Sequence, residues 1–319
     1  MKIVFVNIKL DQEKQKIILS RLQGKADVYF KGNLSRDEFE RIIPNVDILL
    51  ESSPKAEMLQ KMRSLEFIQS AHAGIDNWPF DQTPENVILC SNAGSNYVSV
   101  AEHAFALILT LAKNLILHQR NMSKGSFDQS KSSILLEGKV LGILGLGTIG
   151  KQIARLGQAF GMRVFAINSS GKSDFPTEFI GTLGDISQLM KNSDVLVISI
   201  PLNKYTKGII DGERLKLMKE DAILVNVARA PIIEKSDLET HLKANPNFRV
   251  ALDVWWNPWK FKDDKNMLKH PNLLGTPWIA GASGSQIVWE RMILSAVDNV
   301  IRFLDGDAVL NMVRKEDYA

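Results

Sequence analysis

The sequence predicts an α/β protein made of two doubly wound parallel-sheet domains. Three observations predict it: a series of short β-branched runs alternating with amphipathic stretches, a second such series after a polar break, and a glycine-rich turn at the head of the second series. In the first series, residues 3–6, 27–30, 47–50, 66–70 and 87–89 read as strands, with helical patterns between several of them, such as 12–22 and 55–62. A long helical pattern covers 98–120, where Ala101, Phe105, Ile108, Leu109 and Ala112 recur at three- and four-residue spacing. Residues 121–133, polar and rich in Ser and Lys, read as a loop. The second series places strands at 139–144, 163–167, 195–199, 222–226 and 248–252, separated by helical patterns that include 149–160, 186–191 and 235–244. Beyond Asp253 the chain is irregular and aromatic, with Trp255, Trp256, Trp259 and Phe261. A last helix over 286–304 ends before Asp305 and Gly306, where glycine suits a C-cap.

Composition narrows the function classes. With 319 residues, 45% hydrophobic and 24% charged, the chain has enough apolar material for two cores and is neither disordered nor collagenous. The single cysteine, Cys90, cannot close an internal disulfide and excludes a zinc site of several thiolates, so no metal centre is expected. The net charge of +3, without a clustered basic face, gives no reason to expect a nucleic-acid partner. The apolar run 104–112 falls well short of the ~20 residues that cross a bilayer, and 3–6 is too short for a signal-peptide core. The expectation is a soluble, cytoplasmic protein with no membrane partner.

The glycine-rich turn carries the cofactor chemistry. Gly145, Leu146, Gly147, Thr148, Ile149 and Gly150 spell GLGTIG, directly after the apolar run 140–144 and directly before a helical pattern. The three glycines suit a tight turn, close approach to a pyrophosphate, and close helix-on-strand packing, with the phosphates at the helix N-terminus of a Rossmann-like unit. About twenty residues on, a carboxylate ordinarily holds the ribose hydroxyls. Here the strand ends in Asn168, Ser169, Ser170, Gly171 and Lys172, with no carboxylate to repel a 2′-phosphate. Small polar side chains and a lysine favour NADP slightly over NAD; the alternative is that Asn168 bonds the ribose and Lys172 is merely solvated.

With these residues in view, the chain resembles the D-isomer-specific 2-hydroxyacid dehydrogenase family over nearly its full length. The resemblance rests on ordered motifs: HAGIDNW at 72–78, SNAGSNYVSVAEH at 91–103, GLGTIG at 145–150, SIPLNKYTKGIID at 199–211, VNVARA at 225–230, ALDVW at 251–255 and HPNLLGTP at 270–277. It implies a cofactor domain inserted into a substrate domain, both doubly wound and Rossmann-like or flavodoxin-like: 1–98 plus 284–319 for the substrate and a Rossmann domain over 99–283 for NAD(P), with the active cleft between them. It also implies a homodimer built mainly around the long helix after Val98. Arg229 matches the family arginine that grips the carboxylate and carbonyl of a 2-oxoacid, a task a planar fork suits better than lysine. Ala73, Gly74 and Ile75 match the loop whose N–H groups hold the substrate carboxylate. Asp253 matches a position near the nicotinamide carboxamide. Pro201, Thr206, Val227 and Ala228 fall in the cofactor region, with Thr206 as support for its loop.

Two departures bear on the reaction. The family's acid/base histidine in its TPH motif is Trp278 here, in TPWIAG, and its glutamate partner is missing from Trp255, Trp256, Asn257 and Pro258. An indole donates one N–H and cannot cycle a proton near neutral pH. Three readings follow. The protein is an NAD(P)-dependent oxidoreductase of a small 2-oxoacid or 2-hydroxyacid with another proton donor, for which His72, beside the substrate loop, is the first candidate among five histidines. Or its substrate needs no acid/base dyad, or is bulkier or more aromatic, with Trp255, Trp256, Trp259 and Trp278 walling an apolar pocket, although clustered tryptophans more often belong to a core or a dimer interface. Or it is a catalytically inactive dinucleotide-binding scaffold. The sequence favours the oxidoreductase, because Arg229, Gly74 and Asp253 are all kept.

Overall fold

The computed structural model describes residues 1–130, 133–281 and 285–318. Residues 131 and 132 of the expected 121–133 loop, and the expected 283/284 boundary, lie outside these. Packing separates two compact units, Met1–Asn96 with Gly284–Ala319, and Tyr97–Ser283.

The first unit alternates strand and helix: β1 (Lys2–Val6), α1 (Gln12–Leu22), β2 (Ala26–Phe30), α2 (Arg36–Ile42), β3 (Ile48–Glu51), α3 (Ala56–Lys61), β4 (Phe67–Ser70) and β5 (Ile88–Cys90). All five strands pair in parallel, in the order β2-β1-β3-β4-β5. Strand side chains alternate between faces, and both faces are buried. Val4, Val6, Ile48 and Leu50 pack on Ile18 and Leu22 of α1 and on Ile293, Val297 and Val300 of the C-terminal helix Gln286–Asp305. On the other face Phe5, Leu49 and Ile68 meet Ile43, Met58 and Leu59. Cys90 belongs to the first of these cores, and burial pushes its thiol up to about 11, so it carries no thiolate at neutral pH. Helix α2 lies where no helix is expected from periodicity; its signal is the capping box Ser35–Glu38.

The C-terminal helix is fixed to this sheet by a buried amide. Asn299 Nδ2 donates to Gln69 Oε1 at 2.6 Å and to the Leu310 carbonyl at 3.0 Å, while its Oδ1 accepts from Leu310 N at 2.7 Å. Gly306 closes the helix in the left-handed region at φ 75°.

The second unit begins with α4 (Tyr97–Ala112) and α5 (Leu115–Ser123), followed by β6 (Val140–Leu144), α6 (Thr148–Ala159), β7 (Arg163–Ile167), β8 (Phe179–Gly181), α7 (Ile186–Asn192), β9 (Val195–Ile198), α8 (Gly212–Leu215), β10 (Ile223–Asn226), α9 (Lys235–Ala244), β11 (Arg249–Leu252) and β12 (Leu273–Gly275). Its seven strands run parallel in the order β12-β11-β10-β9-β6-β7-β8, so the order reverses between β6 and β9. The single helix expected over 98–120 is two helices, because Asn114 takes a left-handed φ of 51° and the axis bends by 58°. Asparagine tolerates that region better than other side chains that carry a Cβ. Among the described residues no single helix is long and apolar enough to cross a membrane. Strands β8 and β12, three residues each, are too short to register as periodicity.

Replacing Asn299 by Leu leaves the Gln69 carbonyl and both Leu310 groups without partners. Loss of about 2 kcal/mol in unfolding free energy is expected, read as a lower urea midpoint at unchanged slope.

Candidate active site

Because every strand of the second unit is parallel, the residues that follow them share one edge of the sheet, and the candidate residues of this unit fall there. The glycine loop follows β6, Asn168 follows β7, Pro201 follows β9, Val227–Arg229 follow β10, Asp253 follows β11, and Trp278 follows β12.

The glycine loop sits at the strand-order reversal. Gly145 has φ 111°, and a Cβ there would meet Ile200 N at 2.9 Å; a Cβ on Gly150 would lie 2.1 Å from the Gly145 carbonyl oxygen. Both glycines are therefore demanded by close approach. Gly147, the N-cap of α6, faces open space, where a Cβ would meet nothing within 4 Å. Leu146 is buried and its N–H bonds the Ile167 carbonyl at 2.8 Å. The N–H groups of Thr148 and Ile149 open the helix and have no acceptor among the described residues. Open space beside free N–H groups at a helix N-terminus fits a dinucleotide diphosphate.

At the β7 end, Asn168 is engaged by its own turn. Its Oδ1 accepts from Gly171 N at 2.7 Å and Ser170 N at 3.1 Å, and its Nδ2 donates to the Lys172 carbonyl at 2.7 Å. Ser169, Ser170 and Lys172 are left exposed on the outer side of that turn. After β9, buried Thr206 donates to the Pro201 carbonyl at 2.7 Å and accepts from Asn203 N at 2.9 Å, closing the loop from within.

Arg229 is held by the turn that follows β10. Asn226 accepts from Ala228 N at 3.0 Å and donates to the Arg229 carbonyl at 2.9 Å, and Arg229 Nη1 donates to the Ala228 carbonyl at 2.7 Å. Its guanidinium lies 5.5 Å from the centre of the Trp278 ring. Trp278 is 46% exposed and has φ 56°, a left-handed conformation costly for a bulky residue.

Asp253 holds that conformation in place. Its carboxylate, 1% exposed, accepts from Thr276 Oγ1 at 2.6 Å, Ile279 N at 2.9 Å and Ala280 N at 2.9 Å, and its Oδ1 lies 3.4 Å from His103 Nε2. Burial alone would push this carboxyl up, but the bonds from His103, Thr276, Ile279 and Ala280 more than offset it and hold the pKa below the ordinary value of 3.8. His103, on α4, also lies 3.1 Å from Thr276 Oγ1.

The four tryptophans do not form one wall. Trp255 is buried, donating to the Thr276 carbonyl at 2.9 Å, and Trp256 donates to the Ile233 carbonyl at 3.1 Å. Trp259 is 88% exposed, so Trp278 alone faces Arg229.

In the first unit the 72–75 loop follows β4, again at the carboxyl end of a parallel sheet. Asn92 braces it, its N–H on the His72 carbonyl at 3.0 Å and its Nδ2 on the Ala71 carbonyl at 2.9 Å. Ile75 is buried as an anchor, while the N–H groups of Ala73, Gly74 and Ile75 have no acceptor among the described residues. The His72 ring lies edge-on to Trp289 at 6.3 Å.

Sheet order, glycine cradle and edge arginine together define a dinucleotide-binding α/β protein. Residues 105–280 match the model for the NAD binding domain of D-isomer specific 2-hydroxyacid dehydrogenases, and the chain belongs to that family. A hydroxypyruvate reductase from Thermotoga maritima is 29% identical over 94% of this chain and 98% of its own length. A D-3-phosphoglycerate dehydrogenase from Archaeoglobus fulgidus is 31% identical over 90% of this chain, but the chain spans only 55% of that relative's length. Among solved structures, a candidate formate dehydrogenase from Pyrobaculum aerophilum superimposes with a TM-score of 0.88 at 33% identity, covering 100% of both chains.

The Asp253 anchor contributes stability that is fully present above the ordinary carboxylate pKa and is lost as pH falls below it, because the folded-state value is the lower of the two. Asp253→Asn is expected to cost about 2 kcal/mol at neutral pH and to flatten the acid limb of the stability curve, read by thermal melts of both proteins from neutral pH down through the carboxylate range.

Proposed function

We propose that the protein is an NAD(P)-dependent 2-hydroxyacid dehydrogenase acting as a reductase of small 2-oxoacids. The observation that carries this reading is the placement of Arg229 on the same sheet edge as the glycine cradle, held by Asn226 and backed by Trp278. The Arg229 guanidinium, 5.5 Å from the centre of the Trp278 ring, suits a carboxylate and carbonyl in the bidentate way this fork favours. In the first unit, the successive N–H groups of Ala73, Gly74 and Ile75 form by themselves a set of neutral donors that suits an anion.

Thr148 and Ile149 N–H groups would hold the diphosphate, with Gly147 leaving the room it needs. When bound, the nicotinamide supplies the hydride. Asp253 serves the site by fixing the 276–280 loop, and Thr206 by fixing the loop after Pro201. The exposed Lys172 and the absence of a carboxylate after β7 favour NADP. Exposed Leu115, Ile116, Leu117 and Met122 along α5 suit a homodimer contact. The single buried thiol accords with a cytoplasmic setting.

A second reading, a nucleotide-binding scaffold without turnover, rests on the indole at 278. Following absorbance of reduced nicotinamide with glyoxylate, hydroxypyruvate and phenylpyruvate separates the two: tight nucleotide binding with no turnover on any acid favours the scaffold. Arg229→Ala is expected to lower kcat/KM about 100-fold or more while nucleotide affinity stays unchanged, since two charged hydrogen bonds are worth about 3 kcal/mol together. Asn168→Asp is expected to shift the NADPH to NADH affinity ratio toward NADH by about tenfold, because one like charge near the 2′-phosphate costs over 1 kcal/mol. Nucleotide titration by fluorescence measures both affinities.

A further inference from the structure

One imidazole of the second unit lies against the Asp253 anchor. His103 lies on α4 in the second unit, the unit that also holds Arg229 and Trp278, with its side chain 18% exposed. Its protonation geometry is fixed by a short chain of hydrogen bonds. Thr276 Oγ1 has one proton and donates it to Asp253 Oδ1 at 2.6 Å. Toward His103 Nε2, at 3.1 Å, the same hydroxyl is therefore an acceptor. Asp253 Oδ1, 3.4 Å from Nε2, is an acceptor too. Two acceptors on one nitrogen assign the neutral ring's proton to Nε2 and leave Nδ1 as the atom that gains and loses a proton; among the described residues nothing bonds Nδ1.

An imidazole whose one nitrogen faces a buried carboxylate and whose other is open is the arrangement that general acid/base chemistry uses. It adjoins the loop that Asp253 holds: Thr276, its partner, precedes Trp278 by two residues. We propose that His103, oriented by Thr276 and Asp253, is the acid/base residue of the 2-oxoacid reaction, an assignment that rests on the reductase reading. In reduction the carbonyl carbon accepts the hydride supplied by reduced nicotinamide and the C=O π bond breaks. Its electron pair takes the proton from Nδ1 of the imidazolium, giving the hydroxyacid and oxidised nicotinamide. The ring then regains its proton from solvent. Asp253, kept ionised by its four donors, is the charged group paired with the imidazolium. Glu102, next on α4, is exposed, and Arg229 is engaged by the Ala228 carbonyl and Trp278.

The test compares His103→Gln and His103→Ala with the wild type. Glutamine keeps an N–H donor for Thr276 and Asp253 and so keeps the loop, but cannot transfer a proton. His103→Gln is expected to lower kcat about 100-fold with KM and nucleotide affinity little changed, and to erase the limb of the pH–rate profile that needs a protonated group. Free imidazole is expected to restore rate to His103→Ala. In the ligand-free protein, nitrogen NMR of the His103 ring is expected to show the neutral tautomer protonated on Nε2. Wild-type kcat and pH profile in His103→Gln, or a neutral tautomer protonated on Nδ1, would each overturn the assignment while leaving the reductase reading intact. A wild-type protein that binds nucleotide and reduces no 2-oxoacid would overturn both.

Discussion

Parallel strand pairing is the constraint on which the molecule depends. A parallel neighbour can be reached only by a crossover, so every strand delivers its following loop to the same edge of its sheet. In the second unit that edge collects the glycine loop, the Asn226 turn with Arg229, Asp253 and the Trp278 loop from positions scattered over more than a hundred residues. The order reversal between β6 and β9 leaves the start of α6 open, and the Gly145 backbone lies against Ser199 and Ile200 with no room for a side chain. The cradle is therefore a property of the sheet as much as of its three glycines.

Within that edge the buried Asp253 decides the local course of the chain. An isolated carboxylate at 1% exposure would be unstable as an anion, and the four donors gathered around it make it an anchor instead. Two of those donors, Ile279 N and Ala280 N, lie just beyond Trp278, and they account for how so large a side chain is kept at a positive φ. The indole so placed lies 5.5 Å from the Arg229 guanidinium, a cation–π contact.

Much of the fold was legible because buried parallel strands are short apolar runs, and those at 3–6, 163–167 and 195–198 stand out as such. The break at Asn114 was not, since neither glycine nor proline marks it and the apolar spacing runs on toward it unbroken. Helix α2 carried a readable signal, Ser35 and Glu38 three apart, that hydrophobic periodicity alone passes over. In the site, the glycine loop was legible because its motif includes its own context of strand and helix. The grouping of His103, Asp253 and Thr276 was not: His103 and Thr276 lie 173 positions apart, and only the sheet brings α4 and the end of β12 together. The tryptophans misled in the same way, because an indole N–H on a carbonyl, as in Trp255 and Trp256, leaves no trace in sequence.

The anchor at Asp253 grips main chain on one side of position 278 and a threonine hydroxyl on the other, and touches nothing of the side chain between them. None of these bonds depends on the side chain that residue 278 carries. The anchor therefore holds the loop whichever side chain position 278 presents, and chemistry there can change while the architecture stays still.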